Sequence, residues 1–540
     1  MNLRTTPRQD RSATGRRLDV LLVLLILAVS LTVRWLYVRA VVFPPLDDPT
    51  FYLATAENLV SGRGLVVDAL WSYQMPFPSV THPSHEHWMP LTTGLIASAF
   101  ALLGSSLRTG QLPGMILGAL LAPFTYLVGR RTLPGGLCNR WVAFSAALLV
   151  AISATLSYQS ASSDSSAPFA LIAASALLLA SVRPRTRLGY VINGLLVALA
   201  YLTRSDGLLL LIAIPLAWWL LPAPASTAPG AGGRDGHPRP SLAGLAVMVL
   251  AFALLIAPWL VRNYVAFGTP LPGSVLSQAR ISDYVESFNY QTFPTWDMLF
   301  ARGWQALLLQ RLQALLHNGG VFLLSAFPWG LLALPAIWLL RRERIYSVPF
   351  AYGLLLFVVT AIVFPVSSVA GTFYHSLGAV VPFLALATTS VVQRASHYLG
   401  QAHRLAHPLF VGITAGLVVL AGAQMILTRP AVAQAHRAVE EQFEAVATWL
   451  AQHAAPGSVI MTTQPYTLNY ASGYPAIPLP GSESPDAAWE AAQQYGARLL
   501  VITQIFGNYP DVLHQNPDPR FRPLDSINGT EIYGIGGGQP

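Results

Sequence analysis

The chain has 540 residues, of which 53% are hydrophobic and only 10% charged, with a formal net charge of +8. A soluble chain carries roughly 25% charged residues, so so few in a chain of this length exclude a set of ordinary globular domains and indicate an integral membrane protein. All 32 basic residues are arginine, which excludes a Walker A loop, a lysine Schiff base and ATP-driven transport by this chain alone, while the lone Cys138 excludes an internal disulfide and a thiolate metal site.

The first apolar run, residues 20–42, follows Arg4, Arg8, Arg11, Arg16 and Arg17. It is long enough to cross a hydrocarbon core of about 30 Å, and its basic flank places the N-terminal tail, residues 1–17, in the cytoplasm. Its core is too long for a cleavable signal peptide. Further runs begin near Leu112, Trp141, Ala167, Leu188, Gly207, Leu242, Val321, Ser347, Thr372 and Leu409, giving about eleven spans in a transmembrane domain of residues 18–428. The segment 89–104 is short for a span. Were it to cross, the Arg130, Arg131, Arg140 and Arg183, Arg185, Arg187 clusters would fall outside, against the positive-inside rule, so it reads as interfacial or re-entrant. The basic excess is then an orientation signal rather than a nucleic-acid footprint. The fold expected is an α-helical polytopic membrane protein of the inner (plasma) membrane.

This topology leaves two long external loops, residues 43–111 with juxtamembrane helices and residues 263–318, and a Pro/Gly/Ala-rich cytoplasmic linker at 222–240. After residue 428 the apolar runs stop. Residues 429–540 read as a small external α/β domain with helix 431–453, strand 458–463, helix 485–495 and strand 498–503. Trp218, Trp219 and Trp338 near span ends read as interfacial belt residues. Arg34, inside the first span, either lines a cavity or snorkels to the interface.

The first external loop carries the chemistry. It begins Asp47-Asp48-Pro49-Thr50-Phe51-Tyr52, and Asp48 before Pro49 has the form of an N-cap followed by proline, with Gly62 as the stop of a short amphipathic helix. Two adjacent carboxylates at the membrane surface repel each other unless a cation or a reaction uses them. Capping by Asp48 with a solvated Asp47 is the structural alternative. His82, His85, Glu86 and His87 follow in the same loop. His-x-His suits one face of an extended strand, so His85, Glu86 and His87 admit a divalent cation such as Mg or Mn as one reading and a hydrogen-bonded acceptor or donor pocket as another.

The acidic pair directly after the first span, then Tyr52, Ala56, Leu59, Gly62 and Gly64, resembles the first periplasmic loop of GT-C superfamily membrane glycosyltransferases, including bacterial aminoarabinose transferases and protein O-mannosyltransferases. Further pieces resemble them in the same order: His85-Glu86-His87-Trp88-Met89-Pro90, Leu202-Thr203-Arg204-Ser205-Asp206-Gly207, Pro258-Trp259-Leu260-Val261-Arg262-Asn263-Tyr264, and Gly371-Thr372-Phe373-Tyr374-His375-Ser376. The resemblance implies a GT-C fold and an inverting transfer of a sugar from a polyprenyl-phosphate donor to an envelope acceptor. A carboxylate of the first loop would be the general base, Asp48 first and Asp47 in reserve. It further implies donor or acceptor contacts from Tyr52, His85, Glu86, Asp164, Arg204, Asp206, Arg262, Tyr374 and His375. Arg204 is the first choice for the lipid phosphate, because arginine grips phosphate bidentately. Where the aminoarabinose transferases carry a basic residue this chain has Phe51. Asp164, in the serine-rich turn 157–166, has a solvated turn aspartate as its structural alternative. A transporter or lipid-linked-sugar flippase is the competing function. It would place ionisable residues near mid-membrane, whereas here nearly all carboxylates fall on one face. An oligosaccharyltransferase would show a Trp-Trp-Asp-Tyr-Gly signature, which the sequence lacks.

Overall fold

The computed structural model describes residues 13–45, 47–133, 137–182, 186–220, 241–272, 274–400, 405–481, 483–503 and 518–536. The predicted linker 222–240 and most of the N-terminal tail lie outside them. Every predicted span coincides with a helix: Ala13–Ala40, Leu107–Thr132, Leu137–Ala151 with Ala154–Ala161, Ser166–Val182, Arg187–Thr203, Leu208–Leu220, Leu242–Phe267, Trp304–Ser325 with Gly330–Leu340, Arg344–Ile362, Thr372–Ser376 with Val381–Gly400, and Ala406–His453. Among the described residues, five helices are long and apolar enough to cross a membrane alone, and eight when each bent pair counts as one. Polar side chains start several of them. Ser106, Thr186 and Ser241 each accept a hydrogen bond from a backbone N–H three residues on, satisfying one of the free donors of the first turn. The segment at 89–104 forms the helix Pro90–Leu103, 14 residues long. At 1.5 Å per residue that is about 21 Å, short of the hydrocarbon core.

The helix Trp304–Ser325 begins well before the run predicted from Val321. Gln305, Gln310, Arg311, Gln313 and His317 break the apolar pattern there without breaking helicity, because each is compatible with a helix. It meets Gly330–Leu340 at a bend of 103°. Trp218 is not a belt residue. It is 3% exposed and donates its indole N–H to the Ala180 carbonyl at 2.9 Å, whereas Trp219 and Trp338 are exposed. Arg34 neither lines the cavity described below nor snorkels. It is fully buried, and its Nη1 donates to Ser30 Oγ at 2.7 Å and to the Ala151 carbonyl at 3.0 Å, the last carbonyl before the 51° break between Leu137–Ala151 and Ala154–Ala161. Gly118 leaves room for this contact, since an added Cβ would collide with Ser160 Oγ and lie 3.3 Å from Arg34 Nε.

The C-terminal part holds a five-stranded sheet in the spatial order Ala476–Pro478, Val459–Thr462, Ala497–Ile502, Thr530–Ile535, Phe521–Ile527. The first three strands are parallel and the last two form an antiparallel hairpin against them. The helix Pro465–Ser472, the edge strand and the hairpin have no counterpart in the predicted order, because those short segments carry little apolar periodicity. The helix Ala406–His453 runs 48 residues without a break from the membrane part into the sheet part, through Pro430. The first external loop packs on this sheet. Leu70 N–H donates to the Ala476 carbonyl at 2.9 Å and Ala476 N–H to the Asp68 carbonyl at 3.1 Å, covering the edge strand that would otherwise expose unpaired backbone. One apolar core joins Phe51, Tyr52, Trp71 and Trp88 of that loop to Phe443, Trp449, Ile460 and Tyr466 of the C-terminal part.

Candidate active site

The acidic pair opens the helix Asp48–Val60, which ends before Gly62 at φ +84°. Asp48 is the first helical residue, not the N-cap. That position belongs to Asp47, held at φ +55°, and no side-chain capping bond forms. A positive φ is unusual for a residue other than glycine, and it is held here by three hydrogen bonds. Asp47 N–H donates to Thr467 Oγ1 at 3.1 Å, and its carbonyl accepts from Thr50 Oγ1 at 2.8 Å and Phe51 N–H at 2.8 Å. The capping alternative therefore fails, and both carboxylates are left for other work.

Asp48 faces a cavity of about 360 Å³. Tyr52, His85, Glu86, His87, Arg204, Asp206 and His375 line the same cavity, so residues from four separate stretches of sequence converge on it. Leu208, Leu209, Leu276, Val359 and Phe364 make its apolar side. Asp47, Asp164, Arg262 and Tyr374 do not line it. Arg262 stands over the Trp259 and Phe267 rings, 5.0 Å from each centroid, with Nη2 3.3 Å from the Leu65 carbonyl. Tyr374 accepts at its carbonyl from Gln159 Nε2 at 2.8 Å.

Asp164 is not a solvated turn residue. It is 3% exposed and joins the cavity wall through His375, whose Nδ1 lies 2.7 Å from Asp164 Oδ2 and 2.7 Å from Ser166 Oγ. Ser165 N–H and Oγ donate to Asp164 Oδ1 at 2.5 and 2.9 Å, and Ser166 Oγ donates to Oδ2 at 2.8 Å. Arg204 continues the chain, donating from Nη1 to Ser165 Oγ at 2.9 Å and from Nε to Ser376 Oγ at 3.1 Å. Its Nη2 pairs with Asp206 Oδ2 at 3.0 Å, which also accepts from Ser376 Oγ at 2.6 Å. The serines read only as turn formers in sequence are the couplings between the charged groups.

Charge distribution separates the two neighbouring aspartates. Burial and the Asp48 charge push the Asp47 carboxyl up to about 8, so it is largely protonated at neutral pH. Burial and the Asp164 charge raise Asp48 as well, and His375, Arg204 and a hydrogen bond from Trp88 offset only part of that rise. Burial works against a charge on Arg204, yet Asp206, Asp164 and Asp48 around it hold its proton more firmly than usual. Burial alone would raise Asp164; His375 and Arg204 outweigh it and keep that group ionised.

The His85, Glu86, His87 run does not gather into a ligand set. The antiparallel pairing of Val66–Val67 with His82–Pro83 feeds His85 into a left-handed conformation at φ +72°. Its ring nitrogens are occupied by Ser84 Oγ at 2.8 Å and Thr93 Oγ1 at 2.9 Å. Burial and the Arg262 charge depress it to about 3. His87 stacks on Trp71 with centroids 4.1 Å apart, and burial lowers it to about 4. Glu86 turns toward the C-terminal part, accepting from Tyr466 OH at 3.2 Å with His82 Nε2 3.7 Å away. Among the described residues no three His, Cys, Asp or Glu side chains are arranged to hold a metal. The described residues thus show no ligand set for the divalent cation that the sequence admits.

Phe51 is core. It stacks on Trp88 at 4.4 Å and meets the edges of Tyr52, His85 and Tyr466, fixing the Trp88 indole next to Asp48. Tyr466 and Thr467 carried no signal in the sequence, since an ordinary Pro-Tyr-Thr helix start does not announce that it will pack 380 residues away in sequence. Tyr466→Phe should destabilise the protein by about 1.5–3 kcal/mol, the usual cost of losing a hydrogen bond to a buried charge. Thermal unfolding in detergent measures this; an unchanged midpoint would show that Glu86 does not depend on the phenol.

No family model matches the sequence, and no curated protein matches it. Solved structures do. ArnT from Cupriavidus metallidurans, solved bound to undecaprenyl phosphate, superposes with a TM-score of 0.57 at 14% identity over 97% of this chain and 98% of that one. The archaeal oligosaccharyltransferase AglB from Archaeoglobus fulgidus, in complex with an inhibitory peptide and a dolichol-phosphate, gives a TM-score of 0.52 at 13% identity over 91% and 70%. With its apolar helices and small C-terminal sheet, the chain shares the fold of these two solved structures, the GT-C fold.

Proposed function

We propose that this chain is an inverting glycosyltransferase that moves a sugar from a polyprenyl-phosphate donor to an acceptor of the cell envelope. It would work at the external face of the plasma membrane, with the N-terminus in the cytoplasm and the sheet part outside. The observation that carries this reading is one cavity lined by the Asp48 carboxylate, the Arg204 guanidinium and an apolar side of Leu208, Leu209, Val359 and Phe364. A lipid phosphate needs just these surfaces: an apolar face for the chain, a cation for the phosphate, and a base for the incoming hydroxyl. The lipid phosphates bound by ArnT and AglB in their solved structures support the same donor class.

In this reading Asp48 takes the proton of the acceptor hydroxyl as that oxygen attacks the anomeric carbon from the side opposite the phosphate, inverting the configuration. Arg204, held by Asp206, Ser165 and Ser376, presents its remaining N–H groups to the phosphate. Asp47, protonated at neutral pH, does not compete as a base.

The test is reconstitution of the full chain in liposomes with undecaprenyl-phosphate-linked mannose and arabinose as probes. Release of undecaprenyl phosphate with a glycosylated acceptor is the expected result. Movement of an intact lipid-linked sugar across the bilayer without cleavage would overturn the reading in favour of a flippase.

A pH dependence follows. A base must be ionised, and Asp48 is raised by burial and by Asp164, so activity is lost as pH falls through a value above the ordinary carboxylate pKa of about 4. In Asp164→Asn a like charge disappears, and the acid limb of kcat/KM should move to lower pH. A limb that stays in place would show that Asp164 does not act on the base.

A further inference from the structure

His375 has a feature that phosphate binding by Arg204 leaves unused. Its Nδ1 is fixed by Asp164 Oδ2 and Ser166 Oγ, both at 2.7 Å, while the ring lines the cavity and is 25% exposed. Nε2 has no hydrogen-bond partner among the described residues. It lies against Gly371, where an added Cβ would stand 3.1 Å from it, so the glycine at φ +128° leaves that nitrogen uncovered. Asp164 is itself anchored by three bonds from Ser165 and Ser166, which makes it a rigid carboxylate rather than a mobile one.

A carboxylate behind one imidazole nitrogen fixes the tautomer, orients the ring and stabilises the imidazolium, leaving the other nitrogen to exchange a proton with whatever occupies the cavity. Arg204 cannot fill that role, because it does not release a proton and shares its charge with Asp206. The charged groups around His375 are Asp164 from the turn before Ser166–Val182, Arg204 and Asp206 after Arg187–Thr203, and Asp48 from the juxtamembrane helix; Tyr374 and Tyr52 are the neighbouring phenols.

We propose that His375 is the proton donor to the departing lipid phosphate, with Asp164 as its positioning residue. This rests on the glycosyltransferase reading above and assigns that site its acid. The bond between the anomeric carbon and the phosphate oxygen breaks with its electron pair on the oxygen, and the Nε2 proton of His375 goes to the phosphate. The acceptor oxygen bonds the anomeric carbon, and its proton goes to Asp48. Polyprenyl phosphate leaves as a monoanion, and both side chains recover their starting states by proton exchange with water. The cavity thus holds a base and an acid on separate elements, with a neutral imidazole left after transfer.

The experiment measures binding of undecaprenyl phosphate to the full chain in nanodiscs, at about pH 5 and about pH 8.5, which bracket the range over which histidine changes charge. Because phosphate titrates as well, the readout is the ratio of Kd for His375→Asn to Kd for the unaltered protein. We expect a ratio of about 10 or more at the lower pH, falling toward 1 at the higher. In an Asp164→Asn background the ratio produced by His375→Asn at the lower pH should shrink toward 1, because the ring is no longer oriented by its carboxylate. A ratio that is the same at both pH values, or close to 1 throughout, overturns the proposal: the first is what a merely structural histidine gives. Absence of undecaprenyl phosphate binding by the unaltered protein at either pH would instead remove the glycosyltransferase reading itself. Retained pH-dependent binding in Asp48→Asn separates the acid from the base.

Discussion

Asp48→Asn is expected to lower sugar transfer by about 10²- to 10⁴-fold while the protein still inserts and folds, the loss that follows from the proposed role when a general base becomes an amide of the same shape. The fold is spared because Asp48 makes no capping bond, so the start of Asp48–Val60 rests on the backbone and on Thr467 instead. Asp47→Asn should cost much less. Its carboxyl is already protonated at neutral pH, so an amide changes its charge little. Turnover in liposomes with the two variants side by side decides this. If the Asp48 variant keeps full turnover and the Asp47 variant does not, the base has been assigned to the wrong member of the pair.

Arg204→Gln is the second large effect, a fall of about 10²- to 10³-fold in kcat/KM, as for loss of one preorganised donor aimed at developing charge. Two consequences combine. In the proposed reading the phosphate loses its cation, and Asp206 loses the guanidinium that Nε and Nη2 present to it. Arg204→Lys separates them: it restores the charge but not the planar fork that reaches Ser165, Ser376 and Asp206 together, so it should recover only part of the activity. Full recovery with lysine would mean that charge alone matters and the serine and aspartate contacts do not. Thermal unfolding of both variants shows how much of the loss is structural.

The structural reason for these magnitudes is that the charged residues form one connected chain, Asp206, Arg204, Ser165, Asp164 and His375, along the wall that Asp48 faces. Groups in one hydrogen-bonded chain respond together, so single substitutions will not add. A double variant of Asp164 and Arg204 is therefore expected to lose less than the product of its two single losses.

Much of this protein was legible in its sequence because the membrane simplifies the problem. Runs of apolar residues had to become helices, since no other open-chain structure satisfies its backbone in lipid, and each predicted start has a helix in the structure. The order of short polar motifs was legible too, and Asp48, Tyr52, His85, Glu86, Arg204, Asp206 and His375 do meet on one cavity. Local pattern failed where a residue's fate depends on a distant neighbour. Asp48 has the sequence form of a cap, yet a hydroxyl at Thr467 holds Asp47 at a positive φ, and Asp47 takes that place. Asp164 in a run of serines has the form of a solvated turn, and His375, two hundred residues later, buries and ionises it. Spacing in the His85 to His87 run suggested ligands, but hydroxyls take both ring nitrogens of His85 while His87 lies stacked on Trp71, and the run does not converge on one point. Composition and hydropathy determined that this is a polytopic helical protein. Only the tertiary structure decided which carboxylates are charged, because burial and the nearest cation set a proton's affinity, and neither is a property of the neighbouring letters in the chain.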